Sequence, residues 1–341
     1  MGPADGTLAS LTLTDFRGFA SAKLALDDRL NVLVGGNAAG KTSLLEAAFL
    51  LGRGQSFRAA RLDTLIRYGQ PALTVFGEVR PGTGYQRVGV EVSRGEGTTI
   101  RVDGAPATRS TLSKALPVQL LDPGSQELVR GGPEERRRFL DWGVFHVEPP
   151  FLDAWQQYRR ALDQRNAALR RGAGDGTVRA WDEPLAAAGE AVDTHRRQAL
   201  AGLAPEAEAQ SERLLGERAA IDYHRGWAED ATLTEALHAG LDRDRQFGST
   251  QAGPHRADLR LRLYGRLAKQ SASRGQEKLL SAALALAQAG QVAAVLGRRV
   301  ILLVDEPAAD LDRRHLQRLL EALLAAPAQI LLTTLEATAM T

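Results

Sequence analysis

Residues 35–42 read GGNAAGKT, and within them Gly35, Gly40, Lys41 and Thr42 satisfy the spacing G-x-x-x-x-G-K-T. Glycines at that distance let successive backbone N–H groups curl around an anion, and a helix that starts at Lys41 points its positive end at the same place. The chemistry this suits is the grip of a nucleoside triphosphate such as ATP. Lys41 would reach the β and γ oxygens, and the Thr42 hydroxyl would ligate Mg²⁺. Gly36, Asn37, Ala38, Ala39 and Ser43 complete the candidate cofactor-binding loop. Far downstream, VILLVDEP places Asp305 and Glu306 at the C-terminal end of an apolar run, the end of a strand at which open α/β sheets bind ligands. Asp305 suits a Mg²⁺ shell. Glu306, one residue on, suits the orientation or deprotonation of a water that attacks the γ-phosphate.

A third stretch, ASRGQEK at 272–278, puts Ser273, Gly275 and Gln276 at the start of a long apolar helix. Exposed amides and a hydroxyl there form a second anion site, although taken alone the stretch reads as an ordinary helix cap. One γ-phosphate needs one P-loop, so the economical use of a second site is the nucleotide of another copy, with two chains meeting head to tail across two ATP molecules. Just beyond Glu306, the loop AADLD ends on Asp312.

The elements that must position these residues follow from periodicity. Strands are expected at 8–16, 29–34, 73–80, 87–93 and 98–102, with a PGTG turn at 81–84, and then at 220–224, 258–264, 300–304 and 330–334. Between about Ser125 and Gly216 the pattern turns helical, Ala-, Leu- and charge-rich, with breaks expected at GGP (131–133), EPP (148–150), RGAGDGT (171–177) and LAP (203–205). The expected organisation is 1–124 and 217–341 as two parts of one α/β domain around a helical insertion at 125–216. A fully apolar strand flanked by helices indicates a buried parallel sheet.

Composition bounds the rest. The chain of 341 residues is 44% hydrophobic, carries net charge +2 and contains no cysteine, which excludes disulfide staples and thiolate metal sites. No basic, apolar leader opens it, and no run of about 18 uninterrupted apolar residues suggests a membrane span. All but five of its 43 basic residues are arginine, a side chain whose fork suits phosphate.

The order P-loop, helical insertion, Ser-x-Gly-Gln signature, acidic pair and Asp loop is that of ABC-type ATPase heads. Nearly end to end the sequence resembles the RecF family of bacterial recombination mediators, related to SMC heads. The resemblance rests on LTDFRGF (13–19), GGNAAGKTSLLEA (35–47), GGPEERRRFLDWGVFHVEP (131–149), YRRALDQRNAALR (158–170), GPHRADLRL (253–261), SRGQEKLL (273–280) and VDEPAADLD (304–312). It implies an ABC-type head with a P-loop parallel sheet, an antiparallel β subdomain and a helical second domain. It also implies a cytoplasmic, weak DNA-dependent ATPase that dimerises with ATP, binds double-stranded DNA at single/double-strand junctions, and works with RecR and RecO to load RecA.

By residue, the resemblance assigns Lys41 and Thr42 to phosphates and metal, Asp305 and Glu306 to Mg²⁺ and water, and Ser273, Gly275 and Gln276 to the partner's ATP. Asp312 falls to the dimer seam and Arg17 to the neighbourhood of the nucleotide. Ala38 departs from a glycine usual in SMC loops. The segment VQLLDPGSQE (118–127) does not fix the metal-side residue: Asp122 aligns best, with Gln119 and Gln126 as rivals, and Thr333 or Thr334 stands where many such heads carry a histidine. Without a zinc pattern or helix-turn-helix, DNA contacts are expected to the backbone, from Arg136, Arg137, Arg138, Arg159, Arg160, Arg170, Arg171, Arg196, Arg197 and Arg256. A transporter nucleotide-binding subunit, a small-molecule P-loop kinase and an SMC-like structural head share parts of this pattern. The FRGF and GPHRAD motifs, the signature, and an insertion too often broken for a long coiled coil argue against them.

Overall fold

Alternation of apolar and polar residues in Thr7–Phe16 turns Leu11 and Leu13 inward and Thr12 and Thr14 outward, the pattern of a sheet with one wet face. In the computed structural model, which describes residues 5–80 and 84–335, this strand lies in a six-stranded antiparallel sheet. Its order is Phe19–Ala25, Thr7–Phe16, Ala72–Arg80, Gln86–Ser93, Gly97–Val102, Ala105–Pro106. A second, parallel sheet has the order Leu30–Val34, Ala328–Thr334, Val300–Val304, Val118–Leu121. Val300–Val304 and Ala328–Thr334 are buried at every position, as a parallel strand covered on both faces must be.

The helix Lys41–Arg53 lies in one core cluster with both sheets. Its Leu45, Ala47, Ala48, Phe49, Leu50 and Leu51 are all buried, against Leu11, Leu13, Val75 and Val90 of the antiparallel sheet and Val118, Ile301 and Leu303 of the parallel one. That is why it is apolar nearly all round. Its approach to the parallel sheet is close: a Cβ on Gly52 would stand 2.2 Å from Val118 Cγ2 and 2.8 Å from the Leu116 carbonyl oxygen.

The chain forms two compact units, Met1–Ser125 with Ser281–Thr341, and Gln126–Leu280. The second unit thus extends well past the 125–216 read from composition. The strands Ala220–His224 and Asp258–Leu263 pair with each other, and Arg136 of the helix Pro133–Val147 forks onto Asp258 at 2.6 and 3.2 Å. Segment 217–280 therefore packs with the helices. The composition shift near 217 marks a change from helix to strand, not a change of core. Four strands gave no periodic signal: Phe19–Ala25 with its small residues, the four-residue Val118–Leu121, and the two-residue Ala105–Pro106 and Arg266–Leu267. The break expected at LAP does not occur: Asp182–Leu215 is one helix through Pro205, with Leu203 and Ala207 buried on either side, so packing holds what the proline alone would interrupt. Of the PGTG turn only Gly84 lies within the described residues. The helix Arg274–Leu296 is long and apolar enough to cross a membrane, but 72% of its most apolar window is buried inside the protein, which makes it a core helix.

In the second unit, segment 250–258 is a knot. The Tyr158 hydroxyl donates to His255 Nδ1, so the imidazole proton sits on Nε2 and is donated to the Thr250 carbonyl at 2.9 Å. Arg196, wholly buried, forks onto Asp141 and donates to the Pro254 carbonyl at 2.8 Å, and Arg137 donates to the Ala257 carbonyl at 2.7 Å. Arg165, also wholly buried, holds Asp182, Asp244 and Thr250. GPHRAD is thereby the point at which three helices are tied to one turn.

Two outcomes follow from this packing. Gly52→Ala should lower stability by about 2 kcal/mol, read as a lower midpoint in thermal melting, because backbone lies in the way. His255 is held neutral, its pKa lowered to about 4 chiefly by burial and further by the cations of Arg256, Arg137 and Arg159. The unfolded chain takes up that proton first, so this contribution is complete above pH ~6.5 and is lost as pH falls toward 4. Unfolding free energy should drop by ~1–2 kcal/mol from this group between pH 7.5 and 5, and His255→Gln should lack that increment in matched denaturant titrations.

Candidate functional site

The strand Leu30–Val34 delivers the chain to Gly35, whose N–H bonds the Thr334 carbonyl of the neighbouring strand at 3.4 Å. Gly36, Asn37, Ala38 and Ala39 are exposed, and the loop turns into the helix at Gly40, φ 91°. Ala38 sits at φ 62°, a left-handed conformation in which glycine is unstrained and alanine is not. The departure noted at this position therefore stiffens the loop at a cost of about 1 kcal/mol. No side chain caps the helix start, which leaves its first N–H groups facing the loop. The Lys41 ammonium is drawn into the loop, donating to the Gly35 and Gly36 carbonyls at 2.6 and 2.9 Å. Ser43 stands beside Thr42 in the first turn, partly buried.

Asp305 ends the strand Val300–Val304, and its N–H bonds the Leu121 carbonyl of the adjacent strand at 2.8 Å. Asp305 is 7% exposed, and a carboxylate on so buried a residue must be met by donors. Thr42 Oγ1 donates to it at 3.0 Å, and Thr333 Oγ1 at 2.6 Å. The same Thr333 oxygen accepts the Glu306 N–H at 3.0 Å. One hydroxyl thus fixes both members of the acidic pair. Glu306 is held at φ 48°, a conformation that a non-glycine residue adopts only when its surroundings over-determine it. Of the two threonines left open by the sequence, the hydroxyl work falls to Thr333, while Thr334 offers its carbonyl to Gly35.

Asp122 follows the strand Val118–Leu121, next to Asp305, and its carboxylate accepts the Ser125 hydroxyl at 2.7 Å. Its rival Gln119 is buried and bonded to Gln288 and Arg53, a core role. Gln126 is buried at the start of the second unit. Among the described residues no group of three His, Cys, Asp or Glu side chains could hold a metal by itself. The donor pair Thr42 and Asp305 nonetheless fits Mg²⁺, which takes hard oxygens, few of them from protein, and completes its shell with phosphate and water.

Arg17, at φ 52°, forks onto Glu46 of the P-loop helix with both contacts at 2.9 Å. Glu46 is fully buried and also receives the Ser56 hydroxyl at 2.5 Å. Sequence reasoning missed Glu46, whose one signal is an acidic residue amid the apolar run LLEAAFLL. Ser273 and Gln276 form a reciprocal cap: Gln276 Oε1 accepts the Ser273 N–H at 2.9 Å, and Ser273 Oγ accepts the Gln276 N–H at 3.3 Å. The Ser273 hydroxyl proton stays available to a further acceptor, and Gly275 follows in the first turn. Asp312 caps the helix Arg313–Ala325, accepting the His315 N–H at 2.9 Å, and that bond with the His315 ring holds its carboxyl below the usual range.

The arginines expected to meet DNA divide sharply. Arg136 and Arg196 are buried in ion pairs, and Arg137 is spent on a backbone carbonyl. These three are structural, a correction that only packing supplies. Arg138 and Arg197 bridge neighbouring carboxylates, and Arg256 is turned to Gln251. Arg159, Arg160, Arg170 and Arg171 are exposed.

Comparison with known proteins agrees with this geometry. The RecF/RecN/SMC N terminal domain matches residues 7–341. The DNA replication and repair protein RecF of Pseudomonas putida strain GB-1 is 46% identical over 328 residues, covering 93% of this chain and 88% of that protein. Its counterpart in Pseudomonas aeruginosa strain LESB58 is 43% identical over 324 residues, with the same coverage. Among solved structures, the recombination mediator protein RecF-ATP of the RecFOR pathway superposes with a TM-score of 0.88 at 24% identity, covering 97% of this chain and 92% of that one. An Smc head bound to the C-winged helix domain of ScpA reaches 0.60 at 16% identity, covering 98% of this chain and 90% of that one. The fold is that of the ABC-type heads of RecF and SMC proteins, and on sequence and fold together the chain belongs to the RecF family.

Proposed function

We propose that the protein is an ATP-dependent DNA-binding protein of recombinational repair. ATP joins two copies head to tail into a clamp on double-stranded DNA near single-strand gaps, and slow hydrolysis releases it. The observation that carries the reading is the chain Thr42, Asp305, Thr333, Glu306, which brings the P-loop helix and two parallel strands to one carboxylate. Lys41 exchanges its loop carbonyls for the β and γ oxygens, and the first N–H groups of its helix share that charge. Thr42 and Asp305 would hold Mg²⁺, which would supply charge withdrawal from the phosphates. Glu306 orients the attacking water, its backbone aimed by Thr333.

In this reading the capping pair Ser273 and Gln276, with Gly275, meets the nucleotide of the other copy, and Asp312 lies at the seam. The P. putida and P. aeruginosa relatives carry the name DNA replication and repair protein, and a solved relative is titled a recombination mediator with ATP in the RecFOR pathway. These names support the assignment to repair; RecR and RecO as partners, RecA as the protein ultimately loaded, and a cytoplasmic setting belong to the proposal.

The reading has two direct tests. Thr333→Val, which removes one hydroxyl and no volume, should lower ATP turnover roughly ten- to a hundredfold while equilibrium nucleotide binding changes little; unchanged turnover would remove Thr333 and the strained Glu306 backbone from the mechanism. Light scattering with Mg-ATP should show the mass of the parent doubling and that of Ser273→Arg unchanged although the variant still binds nucleotide. A mass independent of ATP would leave the Ser273–Gln276 pair as a helix cap and nothing more.

A further inference from the structure

On the first unit, the turn 67–70 holds up a tyrosine that packs on nothing: Tyr68 is 97% exposed. The turn is braced. Gly69 takes φ 79°, the Gln70 N–H bonds the Arg67 carbonyl, and the Arg67 N–H bonds the Asp15 carbonyl at 2.8 Å. One residue earlier, Ile66 bridges to Phe16 at the end of the first strand. A single exposed aromatic is unremarkable by itself, but this one stands on a turn whose own residues and neighbours are cationic. Arg61 has a side chain 78% exposed, beside Asp63. Arg94 donates to the Gln70 carbonyl of the turn at 3.1 Å. Arg67 pairs with Asp15, and Arg58 is exposed with no acidic partner among the described residues. Arg61, Arg67 and Arg94 thus accompany two carboxylates, Asp63 and Asp15, along this edge, and Arg58 adds a further cation on the segment before it.

The segment before it is also tied to the P-loop helix. Ser56 Oγ accepts the N–H groups of Arg58 and Ala59 at 2.9 and 2.8 Å while donating to Glu46 of the P-loop helix.

We propose that this edge is where the protein distinguishes a single-strand gap from intact duplex: the arginines lie along the phosphates and the Tyr68 ring stacks on an unpaired base at the junction. The proposal rests on the DNA-binding function above and adds the element that reads the junction. Arginine contacts to phosphate position a strand without regard to sequence, and stacking on an aromatic face is open to any base that is already unstacked. A lone ring on a rigid turn gains nothing from intact duplex, whose bases are stacked on each other. Selectivity for the gap then arises from one side chain while general affinity arises from its neighbours.

The test is fluorescence anisotropy with Mg-ATP on a labelled duplex and on the same duplex carrying a single-stranded arm. The parent should prefer the armed DNA. Tyr68→Ala should lose roughly fivefold or more of the affinity for armed DNA and keep its affinity for duplex, while Tyr68→Phe should behave as the parent. Arg58→Ala with Arg61→Ala should weaken both and reduce the salt slope by about two. Since these side chains are exposed, thermal melting should not change. Equal affinity of the parent for the two DNAs, or an undiminished preference in Tyr68→Ala, would overturn the proposal and leave duplex binding standing. Failure of the parent to bind either DNA would overturn the clamp reading together with this one.

Discussion

The first unit depends on how one buried carboxylate is satisfied. Asp305 ends a strand buried at every position, where an unpaired charge would cost several kcal/mol. Its donors come from two places that the chain joins only through the fold: Thr42 in the first turn of the P-loop helix and Thr333 on the neighbouring parallel strand. Those two bonds set the register between loop and acidic pair. Because Thr333 also takes the Glu306 N–H, the strained backbone of Glu306 is held by the group that holds Asp305. The close packing of the P-loop helix through Gly52, with both sheets in the same core, keeps Thr42 within reach.

The second unit is organised by cations. Arg136, Arg165 and Arg196 are each buried and each bonded to carboxylates of other elements, and each also reaches segment 250–258, at Asp258, Thr250 and Pro254 respectively. Breaking one partner of such a pair leaves a buried charge exposed to no solvent, the costly case. Arginine suits this task because its fork bonds a carboxylate and a backbone carbonyl at once, as Arg196 does with Asp141 and Pro254. A bias toward arginine that reads as phosphate affinity in the sequence is therefore partly an internal scaffold, and the cations left for a polyanion are the exposed remainder.

Local chemistry made most of the motif residues legible. The P-loop, the acidic pair after an apolar strand, and Ser273 and Gln276 at a helix start declare themselves because residue type and spacing within a short window mark each of them. The strands Val300–Val304 and Ala220–His224 were readable to the residue for the same reason. Phe19–Ala25 and Val118–Leu121 were not, since small side chains and four residues carry no period. The break expected at LAP failed because burial on both sides of Pro205 outweighs the proline.

The sequence by itself determined the α/β class, the phosphate loop, the acidic pair and the family, all properties of short windows or of their order. The tertiary structure alone decided that Thr333 serves Asp305 and Glu306, that Glu46 holds Arg17, that Arg136 and Arg196 are core residues, and that 217–280 packs with the helices. Each of these rests on a contact between residues 27 or more positions apart, and the energy of such a contact depends on burial, which no local pattern encodes.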